Sequence, residues 1–88
     1  MKIKQGFLLR RMADQFVVVA VGAAAQEFPG MMRLNGSGAF IWKQLEREVD
    51  ENTVIRSVLE EYDVPEEQAA ADVRRWIAQL RETGALDG

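Results

Sequence analysis

The chain has 88 residues, room for one domain, and its 48% hydrophobic and 28% charged side chains are the composition of a folded rather than a disordered protein. It contains neither cysteine nor histidine, which excludes a disulfide framework, thiolate metal sites, thiol nucleophiles and imidazole acid–base chemistry. The formal charge of −3 conceals an asymmetry: residues 1–34 hold five basic and two acidic side chains, net +3, and residues 35–88 hold six basic and twelve acidic, net −6.

Met1-Lys2-Ile3-Lys4 is basic, but Arg10, Arg11 and Asp14 interrupt the apolar residues that follow, and no small-residue cleavage site of a signal peptide is visible. The apolar runs fall far short of the roughly 20 residues of a spanning helix. The expectation is a cytoplasmic protein with no membrane partner.

Gly6–Met12 and Phe16–Val21 are rich in apolar and β-branched residues and predict a β-hairpin. Ala13-Asp14-Gln15 makes the reversal, with Asp14 supplying the turn chemistry. Gly22 closes the second strand, Ala23–Glu27 forms a helical turn, and Phe28-Pro29-Gly30 breaks the chain. Met31-Met32-Arg33-Leu34 follows as a third short strand.

The remainder predicts helices. Asn35 caps a first helix carrying Ile41, Trp42, Leu45 and Val49 at three- and four-residue spacing, with Asn35 and Ser37 satisfying its free N–H groups. Asp50 or Asn52 caps a second with Val54, Ile55, Val58, Leu59 and Tyr62 on one face. Pro65 stands in the first turn of a third, where its missing N–H costs nothing. Glu66 and Glu67 favour that helix's positive end, Ala69, Val73, Trp76, Ile77 and Leu80 form its apolar stripe, and Gly84 ends it, letting Leu86 fold back over the last turn. The expected fold is α+β: one domain over residues 1–88, with a three-stranded antiparallel sheet (about 6–34) followed by three helices (about 35–84), arranged like a winged helix-turn-helix.

Little in this pattern carries chemistry. The carboxylates lie on polar helix faces or at helix starts, where solvation and capping account for them. Gly36-Ser37-Gly38 lacks the third glycine of a dinucleotide loop and the lysine of a P-loop. No catalytic residue, metal ligand or cofactor is assigned, and an enzyme is not expected. Nucleic-acid binding is the second reading, yet the third helix sets Arg74, Arg75 and Arg81 against Glu66, Glu67, Asp72 and Glu82, a poor match to a phosphate backbone.

What remains is a surface for polypeptide. An edge strand at Met31–Leu34 offers unpaired backbone groups to an extended peptide, and methionines adapt to varied partners. By alternation Met32 and Leu34 face the core while Met31 and Arg33 face out. Trp42 reads as core. Trp76 makes the third helix's apolar stripe broad enough to pack inward and also line a groove, flanked by Arg75 and Gln79. The hairpin is apolar at nearly every position, which suggests a homodimer or a partner protein on its outer face. A purely structural subunit docked through that hairpin is a third reading.

The stretch Met31-Met32-Arg33-Leu34-Asn35-Gly36-Ser37-Gly38-Ala39-Phe40-Ile41-Trp42-Lys43-Gln44-Leu45 resembles the Leu-Asn-x-Thr/Ser-x-Ala/Gly-x-x-Ile/Val-Trp-x-x-Leu signature of the PqqD family, the peptide-chaperone domains also called RiPP precursor recognition elements. Val58–Val64, Glu66–Leu80, Gly84-Ala85-Leu86 and the hairpin from Phe7 are also similar. The resemblance implies three strands followed by three helices. It implies an adaptor that binds the leader segment of a ribosomally made precursor peptide and presents it to a radical SAM or other peptide-modifying enzyme, in peptide natural-product or PQQ-like biosynthesis. It implies that the leader adds beside the third strand, in a groove walled by the third helix. On this chain those positions are Met31, Met32, Arg33 and Leu34, with Val73, Arg75, Trp76, Gln79 and Leu80.

Overall fold

The computed structural model describes residues 1–27 and 30–87. In chain order the elements are β1 (Lys2–Ile3), β2 (Phe7–Met12), β3 (Gln15–Ala20), α1 (Ala24–Glu27), β4 (Met31–Leu34), α2 (Gly36–Leu45), α3 (Glu51–Glu61), α4 (Glu66–Thr83) and β5 (Leu86–Asp87). Strands β2, β3 and β4 form an antiparallel sheet in that order, as the apolar, β-branched runs predict. Phe28 and Pro29, expected to break the chain before β4, lie outside the described residues.

The β2–β3 hairpin is tighter than expected. Met12 already pairs with Gln15, so the reversal is the two residues Ala13-Asp14, and Ala13 takes a φ of 58°. Two-residue hairpins need left-handed backbone to match the twist of their strands, and here an alanine adopts it. The register then runs without interruption, Arg10 opposite Val17 and Leu8 opposite Val19 in the hairpin, Val17 opposite Arg33 and Val19 opposite Met31 across β3–β4.

This register sorts the sheet into two faces, because side chains alternate along a strand. Phe7, Leu9, Phe16, Val18, Met32 and Leu34 turn inward and join the core. The helices cover that face. Trp42, Leu45, Val54 and Val73 are wholly buried, as is Val18, and each such side chain contributes about 1.5–3 kcal/mol through burial.

Caps set the helix starts. Asn35 Oδ1 accepts the Gly38 N–H at 2.7 Å, and Asp50 Oδ1, rather than Asn52, accepts that of Thr53 at 2.8 Å. Ser37 does not cap as expected: its hydroxyl donates to Asn35 Oδ1 at 3.1 Å and steadies the residue that does. Val49 lies beyond the end of α2 and stays half-buried, packed on the core from outside the helix. Pro65 is the N-cap of α4 and not a residue of its first turn, since the residue before a helix keeps extended backbone, which proline's fixed φ also suits. Gly84, at φ 83°, closes α4 by donating its N–H to the Leu80 and Arg81 carbonyls.

A second sheet was not foreseen. Leu86 does not merely fold over the last turn: β5 pairs antiparallel with β1, Lys2 opposite Asp87 and Ile3 opposite Leu86, and Lys4 donates to the Ala85 carbonyl at 2.8 Å. Ile3, Ala85 and Leu86 are buried, so this clasp closes one end of the core.

Candidate functional site

The free edge of β4 is the first element of the site, because β4 pairs with β3 on one side and ends the sheet on the other. Which of its backbone groups are free follows from the hairpin. In an antiparallel ladder, residues alternate between pairs that exchange both hydrogen bonds and pairs that exchange none. The Met12–Gln15 pair closes the two-residue turn and is of the bonded kind, and the Val21 N–H bonds the Gly6 carbonyl at 2.8 Å in the same phase. Gln15, Val17 and Val19 therefore direct their backbone groups to β2, and Phe16 and Val18 direct theirs to β4. Their partners Leu34 and Met32 are thereby satisfied. Met31 and Arg33 turn their N–H and C=O groups to the open edge.

Side chains on the same strand alternate the other way. Met31 is 58% exposed and Arg33 is exposed, both on the outer face, whereas Leu34 is buried and Met32 half-buried on the inner face. Arg33 forms no ion pair among the described residues.

Helix α4 supplies the adjoining wall. Gln79 Nε2 reaches Met32 Sδ at 3.9 Å, which puts the last turns of α4 beside the inward side of β4. Arg75 is exposed on the same side and pairs with Asp72 one turn earlier, at 3.3 Å. Arg75, Ala78, Gln79, Glu82 and Thr83 line a shallow open hollow. The spacing of 75, 78, 79 and 82 is one helix face, and this signal could have added Ala78, Glu82 and Thr83 to the candidates. The buried members of the expected set behave differently. Val73 and Leu80 are 0% and 1% exposed, and Trp76 is 8% exposed; they hold α4 against the sheet and offer a ligand almost no surface in this conformation.

Trp76 is placed by a close approach. A Cβ on Gly38 would lie 2.7 Å from Cζ2 of its ring and 3.0 Å from Cε2, so only glycine lets α2 meet the indole at this distance. The Trp76 and Trp42 indole N–H groups are buried without a hydrogen-bond partner among the described residues. At the far end of β4, Arg33 and Leu34 share a second hollow with Asp14, Gln15, Phe16, Asn35 and Gly36. A third lies between α3 and the N-terminal half of α4, lined by Ile55, Leu59, Ala70 and Ala71 and by the paired Arg74 and Glu51's neighbour Asn52.

Among the described residues no group of three or more acidic side chains is placed to hold a metal ion. No described helix is long and apolar enough to cross a membrane. Among the described residues one titration departs from ordinary values. The hydrogen bonds from Thr53, at its side chain and its backbone, hold the Asp50 carboxyl below the usual carboxylate value.

Two solved structures share the fold. One, described as TbiB1 in complex with the TbiA(beta) leader peptide, is 22% identical, superposes with a TM-score of 0.79 and matches over 100% of this chain and 96% of its own. The other, described as lasso peptide synthetase B1 complexed with the leader peptide, is 19% identical with a TM-score of 0.73, over 94% of this chain and 92% of its own. No curated protein sequence is similar enough to count as a match. The sequence profile of the family described as Coenzyme PQQ synthesis protein D (PqqD) matches residues 15–86, a span from the start of β3 to the first residue of β5, and the chain belongs to that family.

Proposed function

We propose that the chain is a single, non-enzymatic peptide-binding domain that takes the leader segment of a ribosomally made precursor as a fourth strand beside β4 and presents it to a modifying enzyme. The observation that carries this reading is the phase of the ladder, which leaves the N–H and C=O groups of Met31 and Arg33 unpaired at the sheet edge, next to the wall formed by Gln79 and Arg75. The two solved relatives of the same fold are described as complexes with leader peptides, which supports the same use of this chain.

The geometry divides the work between backbone and side chains. Met31 and Arg33 offer up to four backbone hydrogen bonds, each about 0.5–1.5 kcal/mol net, and these hold an extended peptide of any sequence. Selection comes from alternate peptide side chains: those turned inward meet Met32, Gln79 and Arg75, and those turned outward flank Met31 and Arg33. Ordering a flexible leader offsets part of this gain, so the affinity is weak to moderate and the peptide is released after modification. The partner enzyme is a radical SAM or other peptide-modifying enzyme, and the domain supplies no reacting group of its own.

The test is an amide-resonance titration of the full chain with leader segments of short peptides encoded beside its gene. Shifts concentrated on Met31–Leu34, Arg75 and Gln79 support the reading. Shifts confined to the opposite sheet edge at β2, or none with any candidate even when the neighbouring enzyme is present, overturn it.

A further inference from the structure

The sheet has a second, outer face that the peptide site meets only along its β4 rim. Three large apolar side chains are exposed among the described residues, Met12 at 55%, Val21 at 47% and Met31 at 58%. All three have the same phase in the ladder: Met12 opposite Gln15, Val21 bonded to Gly6, and Met31 opposite Val19. They therefore project from the side of the sheet away from α2, α3 and α4. Leu8 and Val19, paired on that side, are half-buried and lie outside the core cluster. Concentration of every exposed large apolar side chain on one face is unlike the scatter of single apolar residues on an ordinary surface.

Charge says what covers it. One row across the sheet reads Arg10, Val17, Arg33. Val17 is only 3% exposed between two arginines, and neither arginine has an ion pair among the described residues. The outward positions of the three strands carry no acidic side chain at all. A second copy presenting the same face would bring no strand carboxylate to these guanidinium groups, because a two-fold interface uses the same patch on both subunits. The face instead suits an apolar surface rimmed with carboxylates on a different protein.

We infer that this outer face, centred on Leu8, Val19 and Met31 and flanked by Arg10 and Arg33, is the docking surface for the enzyme that acts on the bound peptide. The inference rests on the peptide-adaptor reading for one point. Met31 and Arg33 contribute backbone to the β4 edge and side chains to this face, so a strand added at β4 extends the face by its own outward side chains. The enzyme then reads a composite of adaptor and leader, and each ligand strengthens the other's binding to the same degree.

The test uses the full chain, the peptide-modifying enzyme encoded beside its gene, and two variants on β2, the strand farthest from the peptide edge: Leu8→Glu and Arg10→Glu. Titration calorimetry measures enzyme binding and leader binding separately. Each variant is expected to weaken enzyme binding by about tenfold or more, while leader affinity changes by less than about twofold. Enzyme binding by the wild type is expected to fall as salt is raised. Unchanged enzyme affinity in both variants overturns the inference, as does a wild type that never binds the enzyme. Sedimentation of the chain alone gives a further outcome: a dimer abolished by Leu8→Glu shows that a second copy occupies the face and also overturns it. Loss of leader binding by the wild type itself rejects the peptide reading and leaves the enzyme measurement to decide this one.

Discussion

Gly38 and the Trp76 indole lie so close that one added methyl group would stand 2.7 Å from the ring. The atom in the way belongs to a rigid ring that is 8% exposed, so it has little room to retreat. Among the described residues its N–H has no hydrogen-bond partner, and apolar packing holds the ring. Gly38→Ala would gain about 1 kcal/mol of helix propensity in an open helix. Here overpacking, typically about 1–3 kcal/mol, outweighs that gain. The expected result is a lower denaturant midpoint with an unchanged slope, together with altered tryptophan fluorescence. A stabilised variant would show that α2 and α4 separate more readily than their contact implies.

Proline substitutions separate the two kinds of backbone group on β4. Arg33→Pro removes an N–H that points to the open edge, and proline is tolerated on that side of an edge strand. The variant should keep its helical circular dichroism and lose leader affinity by about tenfold or more. Met32→Pro instead removes an N–H bonded to β3 and should destabilise the sheet as well. Equal leader binding by Arg33→Pro and wild type would exclude strand addition at β4.

Adjacent residues of β3 should respond in opposite ways to the same substitution. Val18 is 0% exposed and sits in the core, where an unpaired lysine costs several kcal/mol, of the order of the whole stability of so small a domain. Val19 faces outward, and Val19→Lys should stay folded with a change near 0.5 kcal/mol. Thermal unfolding followed at 222 nm, an ordinary wavelength for helix content on the order of what α2 to α4 supply, distinguishes them. Similar losses in both would mean the sheet's outer face is as enclosed as its inner one.

The Asp50 cap predicts a pH dependence. Its carboxyl is held below the ordinary value by the Thr53 hydrogen bonds, so the folded state binds its proton less tightly than the unfolded chain. The stability this contributes is fully present above the unfolded value and is lost as pH falls through the folded one. Asp50→Asn keeps an acceptor for the Thr53 N–H and should flatten that part of the curve. Urea midpoints measured from pH 6 downward in both proteins check the difference; parallel curves would assign the acid loss to other carboxylates.

The legible parts of this fold were those with a period or a punctuation mark. Ile41, Trp42 and Leu45, or Val73, Trp76, Ile77 and Leu80, recur at helical spacing, and Asn35, Asp50 and Gly84 mark ends whose chemistry is local. Strand alternation also foretold that Met31 and Arg33 face out while Leu34 faces in. Two-residue strands such as Lys2–Ile3 and Leu86–Asp87 have no period to detect, and their pairing depends on residues at opposite ends of the chain. The placement of β4 and α4 was legible by element and not by side chain. Helical spacing puts Val73, Trp76 and Leu80 on one stripe, but only the packed structure shows that this stripe is spent on the core, with Arg75 and Gln79 left facing out.

The clasp of β1 with β5 has a further consequence. Lys2 and Asp87 are cross-strand partners, about 5 Å apart at their Cα atoms, so the two ends of the fold emerge side by side. A linker of a few residues would join them, and new ends could be opened in the Ala13-Asp14 turn without cutting either ladder. The same adjacency lets the domain be spliced into a surface loop of another protein with no more disturbance than a longer loop would cause, carrying its open β4 edge and its outer face intact into the host.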